Sequence, residues 1–196
     1  MKRIIVSIST IVALALPAFA FASTWTIDAD HSNVGFKVRH LMVSNVKGSF
    51  EKHTGTVEIN DKDISKSKVE VTIDVNSINT NVAKRDEHLR SADFFDVAKY
   101  PSMTFTSKKV AKAGANKLKV TGDLTLHGVT REVVLDVDGP TSEIKDPWGN
   151  LRKGATAITK INRKDFGLVW NKALETGGVA VGEEIQITLE IEMIKK

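Results

Sequence analysis

Apolar and polar residues alternate with period two along most of this chain, the pattern of strands that bury one face. In the stretch 68–75, Val69, Val71, Ile73 and Val75 share one side, and Glu70, Thr72 and Asp74 share the other. Leu118, Val120, Leu124 and Leu126 form a second such row, with Gly122 within it. Val133, Leu135 and Val137 repeat the pattern, as do Ile185, Ile187, Leu189, Ile191 and Met193 against Gln186, Thr188, Glu190 and Glu192. Val34, Phe36 and Val38 alternate with Gly35, Lys37 and Arg39, while Val57 with Ile59 and Met103 with Phe105 give shorter stretches. Turn-forming residues separate these rows, as at Asn60-Asp61, His127-Gly128, Asp138-Gly139-Pro140 and Trp148-Gly149-Asn150. About eight strands at short spacing, without recurrent helices, predict an all-β antiparallel sandwich or barrel. Alternation fits either, and it does not distinguish a filled interior from a hollow one.

One stretch breaks the rhythm. From Asn79 to Ser91 the alternation stops, and the spacing predicts a single short helix capped by Asn79 or Thr80. Val82 and Leu89 form its apolar side, and Asp86 precedes Arg90 by four residues, which predicts a helical ion pair. Arg85, Asp86, Glu87 and His88 together have the composition of an acid–base site. General catalysis would need a pocket and shifted pKa values around them. The favoured reading is structural: Arg85, Asp86, His88 and Arg90 form a polar cluster that pins helix to barrel.

Other chemistry is sparse. The five histidines contain no H-x-x-x-H spacing, so no metal site is expected. There is no G-x-S-x-G elbow. Asp30-His31-Ser32 has the residue types of a triad, but consecutive residues of a strand point apart. Gly177, Gly178 and Gly182 lack the strand–glycine–helix context of a phosphate cradle. No cofactor and no catalytic residue is expected.

The N-terminus changes the picture more. Lys2 and Arg3 precede an apolar run from Ile4 to Leu16, then Pro17 and the small residues Ala18, Ala20 and Ala22. This layout predicts a secretory signal peptide over residues 1–22, cleaved after Ala20 or Ala22, and a mature domain from residue 23 to 196. The run is too short for a spanning helix, so no stable membrane anchor is expected. The chain has no cysteine, which excludes disulfides and a lipidated cleavage site. Loss of Lys2 and Arg3 leaves 26 basic against 24 acidic residues. Such a balance, with the lysines interleaved among acids, argues against a nucleic-acid partner.

Eight segments in order carry a resemblance. They are DADHSNVGF (28–36), VKGSF (46–50), SINT (77–80), RDEHLRSADFFD (85–96), YPSMTF (100–105), GDLTLHGVT (122–130), INRKDFGL (161–168) and VGEEIQI (181–187). The chain resembles the YceI-like, polyisoprenoid-binding family over essentially its whole mature length. The resemblance implies an eight-stranded antiparallel lipocalin-like barrel, with the short helix capping one end. It implies export to the periplasm and an interior tunnel for a long isoprenoid or other lipid, such as a quinone tail. It further implies a binding or transport protein rather than an enzyme, an association with stress, and homodimers among family members. Two other functions stay open: an enzyme acting on a lipid or metabolite near the charged helix, and a barrel serving protein contacts.

Alternation and resemblance together place Phe36, Val38, Val71, Ile73, Phe94, Phe95, Met103, Phe105, Leu124, Leu126, Phe166, Leu168 and Trp170 along the tunnel. Phe166, Leu168 and Trp170 are read as an alternating set, and Gly122 as leaving room inside. Burial of an apolar chain yields about 0.8 kcal/mol per methylene, against roughly 4–15 kcal/mol for association. Some thirty carbons would therefore give about micromolar binding, where about ten would only break even.

Overall fold

The computed structural model describes residues 22–175 and 177–196. The predicted signal peptide, Ala22 apart, lies outside the described residues. Twelve strands and one helix follow: β1 Ser23–Ile27, β2 Asn33–His40, β3 Ser44–Phe50, β4 His53–Ile59, β5 Lys68–Asp74, β6 Ile78–Asn79, α1 Ala83–Arg90, β7 Ser102–Gly114, β8 Lys117–Leu126, β9 Val129–Asp138, β10 Ile144–Lys145, β11 Leu151–Asn162 and β12 Val181–Lys195.

Eight of the strands close a ring in the order β11-β9-β8-β7-β5-β4-β1-β12, with β12 pairing back onto β11. This is the expected antiparallel barrel, and closure removes the free edges of those strands. The higher strand number arises because four long paths through the wall are each broken in two, one of them where β10 continues β9 beside β11. β12 pairs with β1 through Met193–Lys195 and with β2 through Val181–Glu190, so β1 and β2 run end to end beside it. β3 with β4, and β6 with β5, continue the same arrangement.

Short acidic side chains make two of these breaks. The Asp28 carboxylate accepts a bond from the Asp30 N–H at 3.2 Å, opening a 3-10 turn over Ala29–His31. The Asp74 carboxylate accepts from the Asn76 N–H at 2.9 Å and opens another over Val75–Ser77. Such side chains imitate a backbone turn and compete with the ladder. Asp30, His31 and Ser32 are thus a turn and its C-cap, not a strand as the alternation suggested. His31 Nδ1 lies 2.8 Å from Asp28 Oδ2, away from any serine relay.

Beside the first break, Arg152 on β11 joins three carboxylates. Its Nη1 donates to Asp28 at 2.7 Å and to Glu192 at 2.5 Å, and its Nε donates to Asp146 at 2.7 Å. Burial opposes ionisation of Asp146. The bonds from Arg152, the Asn150 side chain and the Asn150 and Trp148 N–H groups outweigh it, holding this carboxyl well below the usual range. Arg152 also lowers Asp28, and Asp28 raises His31. Asp28, His31 and Glu192 could place three ligand atoms within 4.8 Å of one another, but the guanidinium already supplies the positive charge there.

A pH dependence follows from these directions. Carboxylates with lowered folded-state values contribute full stability above their unfolded value, about pH 4, and lose it as pH falls further. Arg152→Met leaves Asp28 and Asp146 without their guanidinium partner, so their folded values rise and ionisation becomes less favourable. Thermal midpoints measured from neutral to acid pH should show the variant's deficit largest near neutrality and narrowing toward pH 4. A deficit that widens on acidification would show that the carboxylates are not held by Arg152.

Candidate functional site

The inward faces of the barrel strands enclose a cavity of about 270 Å³ with an almost wholly hydrocarbon wall. The rows that produce it are those the alternation marks: Ile185, Ile187, Leu189, Ile191 and Met193 of β12, and Leu118, Val120, Leu124 and Leu126 of β8, all line it. Trp25, fully buried, lies behind the wall rather than on it, packed against the lining residues Ile59 and Met193 toward one end. At the other end α1 and the residues after it close the barrel, with Leu89, Phe94 and Phe95 on the cavity wall.

Eleven of the thirteen residues expected along the tunnel are on its wall: Phe36, Val38, Val71, Ile73, Phe94, Phe95, Met103, Phe105, Leu124, Leu126 and Leu168. Phe166 and Trp170 are not. Asn162 caps a 3-10 turn over Arg163–Phe166, which Gly167 ends in the left-handed region at φ 77°. Strand periodicity therefore does not apply to this stretch. Phe166 is buried in the core at the helix end. The Trp170 ring instead lies 5.0 Å from that of Phe94 and 5.1 Å from that of His88, measured between centroids.

Gly122 also acts differently from expectation. A Cβ there would lie 2.5 Å from Cζ of Phe105, so the space above the glycine is already filled by that ring. Gly48 seats the Phe36 ring in the same way, at 2.6 Å. The two glycines let large rings lie against the wall of the barrel. Much of the remaining width comes from β11, whose inward row is Ala155, Ala157, Thr159 and Ile161. The sequence reading missed that row.

The polar cluster holds the helix by a different set of bonds from the predicted one. α1 has Val82 at its N-cap and no side-chain cap bond. Asp86 is buried and forms no ion pair with Arg90; it accepts from the Thr80 N–H at 2.9 Å and from the Thr80 hydroxyl. Arg85 donates to the Thr80 hydroxyl and carbonyl at 2.7 and 2.8 Å. Arg90 donates to the carbonyls of Asn76 and Ile78 at 2.8 and 2.7 Å. The cluster thus fastens α1 to the backbone of residues 76–80, where β6 pairs with β3 only through Ile78 and Asn79. His88 lies apart, 3.0 Å from Asp93.

Only two titratable side chains, His53 and Arg163, line the cavity among the described residues. Arg163 is buried and donates to the carbonyls of Gly182, Leu168 and Val181. Burial draws its pKa down, with nearby Glu183 opposing the shift.

The sequence matches the family described as the YceI-like domain over residues 25–193. A UPF0312 protein of Vibrio parahaemolyticus is 41% identical over 170 residues, covering 86% of this chain and 89% of its own. Among solved structures, BcnA of Burkholderia cenocepacia superposes with a TM-score of 0.72 at 25% identity, covering 85% of this chain and 98% of that one. A polyisoprenoid binding domain from Saccharophagus degradans shares the fold, with a TM-score of 0.64 at 18% identity over 89% of this chain and 99% of its own. Matched across nearly the whole barrel, the chain belongs to the YceI-like family.

Proposed function

We propose that the barrel binds a long apolar lipid chain, of the isoprenoid class, and holds or carries it in the periplasm without transforming it. The observation that carries this reading is the enclosed hydrocarbon wall of the tunnel. The Saccharophagus domain, a polyisoprenoid binding domain of the same fold, agrees with it. A binding role fits the lining better than catalysis does, since one of its two titratable side chains, Arg163, is committed to backbone carbonyls. Export is part of the proposal, motivated by Lys2, Arg3 and the apolar run from Ile4 to Leu16.

The volume bears on chain length. An apolar cavity of about 150 Å³ takes one benzene. A cavity of 270 Å³ therefore accepts on the order of a dozen carbons as it stands. Their burial yields about 10 kcal/mol, within the roughly 4–15 kcal/mol that association costs. Tight binding thus calls for a longer chain that widens the tunnel.

Protein purified from periplasmic extract without detergent should yield, on solvent extraction and mass spectrometry, about one chain-bearing lipid per barrel. Folded protein that carries none and takes up no fluorescent prenyl probe would overturn the proposal. Recovery of the protein solely from the cytoplasm would overturn its periplasmic part.

A further inference from the structure

We propose that the turn joining β2 to β3 docks the barrel onto a lipid bilayer bearing anionic headgroups. This deepens the reading of the tunnel as a lipid site by naming the surface that supplies the lipid; the docking itself stands without that reading.

The turn is Leu41-Met42-Val43, set between the paired residues His40 and Ser44. The Val43 N–H donates to the His40 carbonyl at 3.1 Å. Leu41 and Met42 both occupy the left-handed region, with φ 48° and 59°. Hairpins favour asparagine, aspartate or glycine at such positions, because a larger L side chain crowds the following carbonyl there. Burial does not offset the strain, since Leu41, Met42 and Val43 are 41, 46 and 77% exposed. A strained turn that carries three large apolar residues into solvent points to a function at the surface. The turn is also fixed in place: the Leu41 N–H donates to the Ala180 carbonyl, and the Ala180 N–H to the Lys172 carbonyl, both at 2.8 Å. Val38 and Val181, beside the turn on β2 and β12, line the tunnel. The exposed apolar surface therefore begins where this end of the tunnel wall stops.

The outward face behind the turn is basic. Lys37 lies directly across from Lys47, and Arg39 across from Asn45. On its other side Lys37 faces Gln186, which in turn faces Lys160. Like charges opposite one another are unfavourable in a sheet. Among the described residues, Lys37, Arg39, Lys47 and Lys172 form no ion pair; Glu183 and Glu184 of the adjoining β12 are engaged by Lys164 and Lys160 at 2.5 and 2.8 Å. Glu175 is the one acid in the stretch 169–180 beside the turn. At about 3.4 Å per residue, Lys37 and Lys47 stand roughly 10 Å behind the turn. Apolar groups of peripheral segments enter a bilayer by about 5–10 Å, which sets these cations at the level of the headgroups. A protein could also cover an apolar turn, but opposed lysines without a carboxylate call for a surface rich in anions.

Flotation with lipid vesicles reads the docking. Wild type should float with vesicles of three parts phosphatidylcholine to one of phosphatidylglycerol, and about tenfold less with phosphatidylcholine alone. Lys37→Gln with Lys47→Gln should lower partition onto the anionic vesicles about thirtyfold, and raised salt should weaken it likewise. Leu41→Asn with Met42→Gly should abolish flotation while the thermal midpoint holds or rises, because both residues suit the left-handed turn. None of these four side chains lines the tunnel. The variants should therefore take up a prenyl probe dispersed in solution as wild type does, yet draw it from anionic vesicles more slowly. Wild type that does not float, or flotation that survives in Leu41→Asn with Met42→Gly, would overturn the docking and leave the lipid site untouched. Concentration-dependent dimers that this variant abolishes, without flotation of wild type, would overturn it in favour of a second copy of the chain. Folded protein that floats but takes up no probe would support the docking and remove the lipid reading of the tunnel.

Discussion

Trp25→Ala should lower the thermal midpoint by on the order of 10 °C, a loss of about 3–5 kcal/mol. Trp25 is the largest fully buried side chain of the described residues. It packs on Ile59 and Met193, and its indole N–H donates to the Ser23 hydroxyl at 2.8 Å. The amines of Lys153 and Lys195 each lie 5.5 Å from its ring centroid, so the ring separates hydrocarbon on one side from charge on the other. Truncation removes the ring and its burial together, and the neighbours can collapse only partly because the closed strands hold them apart. Since Ile59 and Met193 also line the tunnel, the vacated space would join it. The variant should therefore prefer longer chains than wild type does, while Trp25→Phe should keep most of the stability. Calorimetry and a chain-length series read both effects. A midpoint within two or three degrees of wild type would show that Trp25 does not close the barrel.

The fold was legible where large aliphatic residues alternate with charged or hydroxylated ones. The row from Ile185 to Met193 has this form, and it lies along the tunnel as read. β11 escaped detection for the opposite reason. Its inward positions hold Ala155, Ala157 and Thr159, while the outward Ile158 is 52% exposed. Local hydrophobicity there points the wrong way, and only the register with Leu189 and Val137 reveals which face is buried. The cluster on α1 was misassigned because i,i+4 spacing describes a helix by itself. The actual acceptors are carbonyls of Asn76, Ile78 and Thr80, and a backbone carbonyl turned toward a helix side chain has no sequence signature. His53 was equally hidden, since it begins a strand of which the reading registered only Val57 and Ile59.

Ala157→Phe should abolish lipid binding and leave the fold intact. Ala157 is 7% exposed, sits across from Leu189 on β12 and Val137 on β9, and shares the tunnel wall with both. A benzene-sized group fills an apolar cavity of about 150 Å³. The added ring would thus take roughly half of the 270 Å³ available. Displacing about six carbons of ligand forfeits roughly 5 kcal/mol, which is more than a hundredfold in Kd. The ring enters existing space, so the strain of overpacking should be small and the thermal midpoint should hold or rise. Ile158→Phe is the matched control. It places the same ring one residue along the same strand, and period two turns it to the outside. If the inward variant alone loses the prenyl probe, the ligand lies within the barrel. If both bind as wild type does, with folds intact by circular dichroism, the lipid sits on some other surface and the tunnel is not its site.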